Sequence, residues 1–263
     1  SHMNQLELTM VELLKDLRKN HGVVAVKAEF EAEACRLNEV MRLKDVASAA
    51  GLGIILKVGG AEAITDMYHA QHIGVTGLVA PMIESAYAMR KFLLAIKSYF
   101  PKDLQEYIDF GVNIETYLAY QNLPEILKEK LIHLLSSITL GRVDMTGSLG
   151  ISREDINCDQ IYAIAEDMFR QVKEKGLRTT MGGGIAKEAV PFIRKLVRKK
   201  LLDHVETRKI VFHLPKALDT MGKGVIKANR FELLWLESKR QYYATIYHED
   251  EPRIEMLKKR IIL

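Results

Sequence analysis

Two periods alternate along the chain. Between 5 and 20, Leu6, Met10, Leu13, Leu14 and Leu17 fall three or four residues apart, with Lys15, Asp16, Arg18 and Lys19 opposite them and Gly22 just beyond. That spacing is one face of an amphipathic helix and its stop signal. The run 23 to 30 (VVAVKAEF) is short and β-branched, as a buried strand is, and a helical pattern then continues to Gly51 or Gly53. The unit recurs. Strand-like runs at 53 to 58, 76 to 83, 110 to 114, 136 to 143, 177 to 181 and 204 to 213 are separated by helical patterns, the clearest of them carrying Ile161, Ile164, Ala165, Met168, Phe169 and Val172 on one stripe. The other helical stretches are 61 to 73, 86 to 96, 118 to 134 and 186 to 202, with Pro191 tolerable in the last only near its first turn or at a kink.

Parallel strands need long crossovers, so seven strand runs parted by helices predict an α/β protein with a parallel sheet. At this length the expected form is a TIM-type (βα) barrel, with an open doubly wound sheet as the alternative; an eighth strand is not visible. The barrel is expected over 4 to 227, after a cloning remnant at 1 to 3. A helical extension over 228 to 263 carries Phe231, Leu234 and Trp235, is expected to pack on a second copy, and ends in a charged short helix from 252.

Composition narrows the function classes. With 263 residues, 48% hydrophobic and 27% charged, the chain can bury one sizeable core. The net charge of +4 is scattered over helix faces, which argues against nucleic acid as a partner. Cys35 and Cys158 are the only cysteines, which argues against a disulfide framework and for a reducing cytoplasm. No apolar run approaches the roughly 18 residues of a membrane span.

Active sites of such barrels sit at the carboxyl ends of the strands, and the acids of this chain gather there. Glu29 and Glu31 end the first strand run, Glu84 the third, Glu115 the fourth and Asp144 the fifth; Lys57 ends the second, and Arg142 lies two residues before Asp144. Carboxylates in one mouth suit a hard divalent cation, Mg²⁺ or Mn²⁺, whereas His69 and His72 fall in a helix as surface residues. Taken singly, Glu115 could cap the next helix and Asp144 could start a turn. Gly182, Gly183 and Gly184 read either as a phosphate cradle or as a tight strand-to-helix turn. The charges of ETRK, 206 to 209, fall mid-strand, so that Glu206 and Arg208 either pair inside the barrel or mark an edge strand.

Three stretches resemble the HpcH/HpaI aldolase and citrate lyase β-subunit superfamily: VNIETYLAYQNLPEIL (112 to 127), LGRVDMTGSLG (140 to 150) and GVTGLVAPMIESAYAM (74 to 89), within a resemblance spanning roughly 23 to 190. It implies a metal-dependent carbon-carbon lyase of the aldolase type acting on a 2-oxo acid or related carboxylate. Glu115 and Asp144 would be the metal ligands, and the backbone after Asp144, around Gly147 and Ser148, would hold the substrate carboxylate. Glu84 and the glycines 182 to 184 would complete the substrate site, with a phosphorylated substrate as one reading. Lys57 stands where the family usually presents arginine, and Glu29 to Glu33 lacks the histidine of the aldolase branch. Lys57 or Arg142 would then supply charge, and Glu29 or Glu31, each raised by its like-charged neighbour, or a metal-bound water would move the proton. The missing histidine leaves open a non-catalytic metabolite-binding barrel.

Overall fold

In the computed structural model, which describes residues 2 to 262, eight strands close into one barrel: β1 (Val23–Glu29), β2 (Gly53–Lys57), β3 (Gly77–Ala80), β4 (Asp109–Ile114), β5 (Ser137–Gly141), β6 (Arg178–Gly182), β7 (His204–Glu206) and β8 (Ile210–His213). Around them run α1 (Gln5–Asn20), α2 (Leu37–Ala49), α3 (Ile64–Ile73), α4 (Ala86–Tyr99), α5 (Lys102–Tyr107), α6 (Tyr117–Gln121), α7 (Leu123–Ile126), α8 (Arg142–Ser148), α9 (Asp159–Glu174), α10 (Val190–Arg198), α11 (Met221–Tyr247) and α12 (Glu251–Ile261). The helix predicted to reach 263 is described only as far as Ile261; Leu263 lies outside the described residues.

β1 to β7 are parallel, and β8 runs antiparallel to both β7 and β1. The missing eighth strand therefore lies inside what reads as the seventh. Thr207 makes the reversal: its N-H donates to Ile210 O at 2.9 Å, and its Oγ1 accepts from Ile210 N at 3.2 Å. Lys27 N donates to Lys209 O at 2.8 Å, which ties the turn to β1. ETRK is thus the end of one strand and a turn. Glu206 does face into the barrel, but it pairs there with Lys27 and not with Arg208, which turns toward Glu33.

Three other expectations change. The helix expected over 118 to 134 breaks at Asn122, because Pro124 opens a new helix, α7. Where Asp144 could have started a turn after the fifth strand run, the chain instead forms α8, which places Asp144 in a first helical turn. The long helix begins at Met221, not 228, and Phe231 and Trp235 are buried against the barrel of their own chain, with Leu234 partly buried beside them. Pro191 does sit in the first turn of α10.

Side chains alternate between the two faces of each strand. Val26, Ala28, Ile54, Leu56, Phe110, Val112, Ile138, Leu140, Met181 and Val205 face the helices and are buried there. On α9 the stripe from Ile161 to Val172 meets them from outside. The other face carries Lys27, Glu29, Lys57, Asn113, Thr139 and Glu206, all lining the cleft at the barrel mouth. Most apolar burial therefore holds the helices onto the barrel, while the upper interior is left to charge and hydrogen bonding.

At the opposite end, His204 of β7 and His213 of β8 are cross-strand partners with ring centroids 5.4 Å apart. Burial pushes the His204 imidazole from 6.5 down to about 4, with Arg178 and His213 adding to the shift and Asp203 and Asp109 opposing it. The unfolded chain takes up this proton first as pH falls. Stability from neutral His204 is therefore complete above about pH 6.5 and lost toward pH 4, by at most about 3 kcal/mol. Urea unfolding of His204→Gln across that window is expected to show a flatter acid slope than the native chain; equal slopes would remove His204 from the acid transition.

Candidate functional site

The carboxyl ends of the strands open into a cleft of about 630 Å³. Glu115, directly after β4, and Asp144, in the first turn of α8, both line it. Glu115 is buried; its Oε1 accepts from Met82 N at 3.0 Å and its Oε2 from Asn113 Nδ2 at 3.3 Å. Met82 adopts a left-handed φ of 52°, an uncommon conformation for a long side chain, and so spends backbone strain on aiming its N-H at this carboxylate. Gly141 leaves the space that Glu115 occupies: a Cβ there would lie 2.7 Å from Glu115 Oε2.

Burial pushes the Glu115 carboxyl above its ordinary range; the Lys57 ammonium and the Met82 N-H oppose this, and the charge of Asp144 adds to it. Two carboxylates close enough to repel, one of them desolvated, are relieved by a cation between them. Among the described residues no third His, Cys, Asp or Glu completes a protein-only cluster. That donor set suits Mg²⁺ or Mn²⁺, which keep waters and substrate oxygens alongside one or two carboxylates, and does not suit a closed zinc site.

Two ion pairs line the cleft. Lys57 Nζ lies 3.2 Å from Glu29 Oε1, and Lys27 Nζ lies 2.9 Å from Glu206 Oε1. Burial works against the charge on Lys27, but Glu206 and Glu29 outweigh it and raise its pKa above the ordinary value. Arg153 and Arg208 reach the cleft from loops, and Asn229 and Glu232 reach it from α11. Sequence reading missed Lys27, Asn113, Arg153, Asn229 and Glu232. Lys27 and Asn113 each lie two residues before an acid that was singled out, the spacing of one strand face, and that signal could have found them.

Several predicted site residues lie elsewhere. Glu31 is exposed and packs over Gly59, so the neighbour of Glu29 is Lys57 and not a second carboxylate. Glu84 Oε2 accepts from Thr116 Oγ1 at 3.0 Å, and Glu84 O accepts from Asn122 Nδ2 at 2.8 Å, which holds the two ends of α6. Gly147 and Ser148 lie at the far end of α8; Ser148 Oγ accepts from Tyr117 N at 2.9 Å and donates to Met145 O at 2.8 Å. None of these four lines the cleft. Arg142 is wholly buried, its guanidinium turned to backbone carbonyls behind Gly183, and burial lowers its pKa to about 10. Gly182, Gly183 and Gly184 do line the cleft, as expected.

No protein-family model matches the sequence, and no curated protein matches it. Solved structures do match. An HpcH/HpaI aldolase from Desulfitobacterium hafniense DCB-2 is similar at a TM-score of 0.61 and 16% identity, over 88% of this chain and 90% of that one. An HpcH/HpaI aldolase/citrate lyase family protein from Burkholderia cenocepacia J2315 gives 0.59 and 15%, over 85% and 90%. Citrate synthase SbnG gives 0.61 and 16%, over 85% and 89%. At these identities the likeness establishes a shared barrel fold across most of the chain, as the resemblance of the three sequence stretches implies.

Proposed function

We propose that the cleft catalyses carbon-carbon lyase chemistry of the aldolase type on a 2-oxo acid or related carboxylate, and that the chain is a divergent relative of the HpcH/HpaI aldolases and citrate lyases. The observation that carries this reading is the pairing of buried Glu115 with Asp144 at the ends of neighbouring strands, with Lys57 close by. Glu115 and Asp144 would hold Mg²⁺ or Mn²⁺. When bound, such an ion polarises the substrate's carbonyl oxygen as a Lewis acid.

The chain's own residues do the rest. Met82 N-H and Asn113 fix the Glu115 carboxylate, so that little reorganisation is needed when charge develops. Glu29 is the carboxylate available to take a proton from the carbon next to the carbonyl. Lys57, 3.2 Å from Glu29, supplies positive charge against the enolate oxygen that results. As a lysine it counters charge at one point and offers no bidentate fork. The test is exchange of pyruvate methyl protons into D₂O, followed by NMR with and without Mg²⁺. Exchange that depends on the ion supports the reading, and its absence with pyruvate and other 2-oxo acids refutes it.

A second reading has one observation in its favour: among the described residues no histidine lines the cleft. A barrel that binds a metabolite and its metal without turning it over would give binding by calorimetry and no exchange. In either reading the chain is proposed to self-associate through its carboxyl-terminal arm. Ile246, Tyr247, Ile254, Leu257 and Ile261 of α11 and α12 are exposed, and α12 buries none of its residues against its own chain. Light scattering is expected to give a multiple of the chain mass of 29.9 kDa; a monomer would remove the suggestion.

A further inference from the structure

The glycine run at the cleft is held from behind by a charge that has no acidic partner among the described residues. Arg142 donates from Nε to Gly183 O at 3.1 Å and from Nη2 to Gly183 O at 2.6 Å, and Nη2 also reaches Gly184 O at 3.2 Å. Its Nη1 donates to Ile156 O at 3.3 Å and to Asn157 Oδ1 at 2.7 Å. Phe192 covers the guanidinium face, 4.7 Å from Cζ to the ring centroid. Every partner is a neutral oxygen or a ring, and the side chain is 0% exposed. Burying a cation without a counter-charge is costly, so the compensating anion is to be sought nearby.

The two peptides that Arg142 grips show where. Both are trans, so the carbonyl and the N-H of each point in opposite directions. With Gly183 O and Gly184 O turned inward onto the guanidinium, the N-H groups of Gly184 and Ile185 are turned the other way. Gly183, Gly184 and Ile185 line the cleft, and neither N-H has an acceptor among the described residues. Gly183 has φ 86° and Gly184 φ 61°, two successive left-handed residues that glycine adopts without strain, and because both carbonyls turn to one guanidinium nitrogen the two N-H groups leave the other side of the backbone together. The back of the run is packed too closely for any side chain: a Cβ on Gly183 would lie 2.8 Å from Val143 N. A charge-assisted bond at a carbonyl polarises its peptide and strengthens the N-H at the other end as a donor.

We propose that the Gly184 and Ile185 N-H groups form an oxyanion cradle for the acidic group of the substrate, and that Arg142 is the positioning residue that turns and polarises them. The cradle deepens the reading of the cleft as a 2-oxo acid site and names the substrate's recognition group: a carboxylate or a phosphoryl group presenting oxygens to two backbone donors. Arg142 does not touch the substrate. It acts through the two peptides, and the bound anion supplies the counter-charge that the fold leaves out.

The test follows the Gly184 and Ile185 amide resonances of the ¹⁵N-labelled full chain, with Mg²⁺ present, during titration with pyruvate, phosphoenolpyruvate or inorganic phosphate. Both resonances are expected to move downfield. Movement with pyruvate identifies a carboxylate; movement only with phosphoenolpyruvate and phosphate identifies a phosphoryl group. No movement of either amide with any of the three overturns the cradle on the native chain alone, whatever the variants do. In Arg142→Gln the shifts are expected to shrink and affinity for the active probe to fall by about tenfold. In any turnover KM is expected to suffer more than kcat, and Arg142→Lys should recover part of the loss. Arg142→Gln with native shifts and affinity would remove Arg142 from the cradle. Failure of the reaction reading looks different: the amides move while no methyl protons exchange.

Discussion

Glu115→Gln is expected to lower Mg²⁺-dependent exchange of pyruvate protons by about a thousandfold. Lewis-acid stabilisation supplies several kcal/mol, and each 1.36 kcal/mol is a factor of ten in rate. Glutamine keeps the shape and an oxygen for Met82 N-H, so the barrel is retained while the ligand charge is lost. Asp144→Asn is expected to act in the same direction, and the pair to lose little more than either single change, because both residues serve one ion. Full activity in Glu115→Gln, with melting behaviour unchanged, would sink the metal-site reading.

The second large effect is on stability. Lys209, in the β7-β8 turn, is 0% exposed, with Nζ 2.7 Å from Glu33 Oε2 and 5.9 Å from the centroid of the Trp235 ring. Arg208 Nε approaches the same carboxylate oxygen at 3.9 Å. Removing one partner of a buried pair leaves the other charge uncompensated, at a cost of about 3 to 5 kcal/mol. Glu33→Ala is therefore expected to lower Tm by about 10 °C for a domain of this size. The double change Glu33→Ala with Lys209→Met should recover most of the loss, because the stranded charge goes with its partner. A single variant within about 1 kcal/mol of the native chain would show that water reaches the pair.

What the sequence made legible follows physical range. The helix stripes and parallel strands rest on local periodicity, and α9 kept each of its six predicted stripe positions buried. Glu115, Asp144, Lys57 and Glu29 could be found because strand ends converge in any barrel of this type. Side-chain direction was less accessible. Arg142 lies two residues from Asp144 in sequence but points to the opposite side of the Gly183 backbone, because both fall in α8, whose helical rotation sets the two side chains apart. The left-handed Met82 leaves no sequence signature, since nothing about methionine announces it. Strand β8 was hidden because a run of ten strand-like residues looks the same whether it continues or folds back on a four-residue turn.

That reversal also governs how the barrel is completed. Because β8 pairs with β1 near the amino terminus and with β7 just before it, the growing chain carries two open sheet edges until nearly the whole barrel has been made. The hairpin then seats as one piece, like a bolt, binding Lys27 through Lys209 O on one side and β7 on the other. A fragment that stops before Ile210 is therefore an open sheet with two sticky edges, suited to pairing with other chains, rather than a smaller barrel.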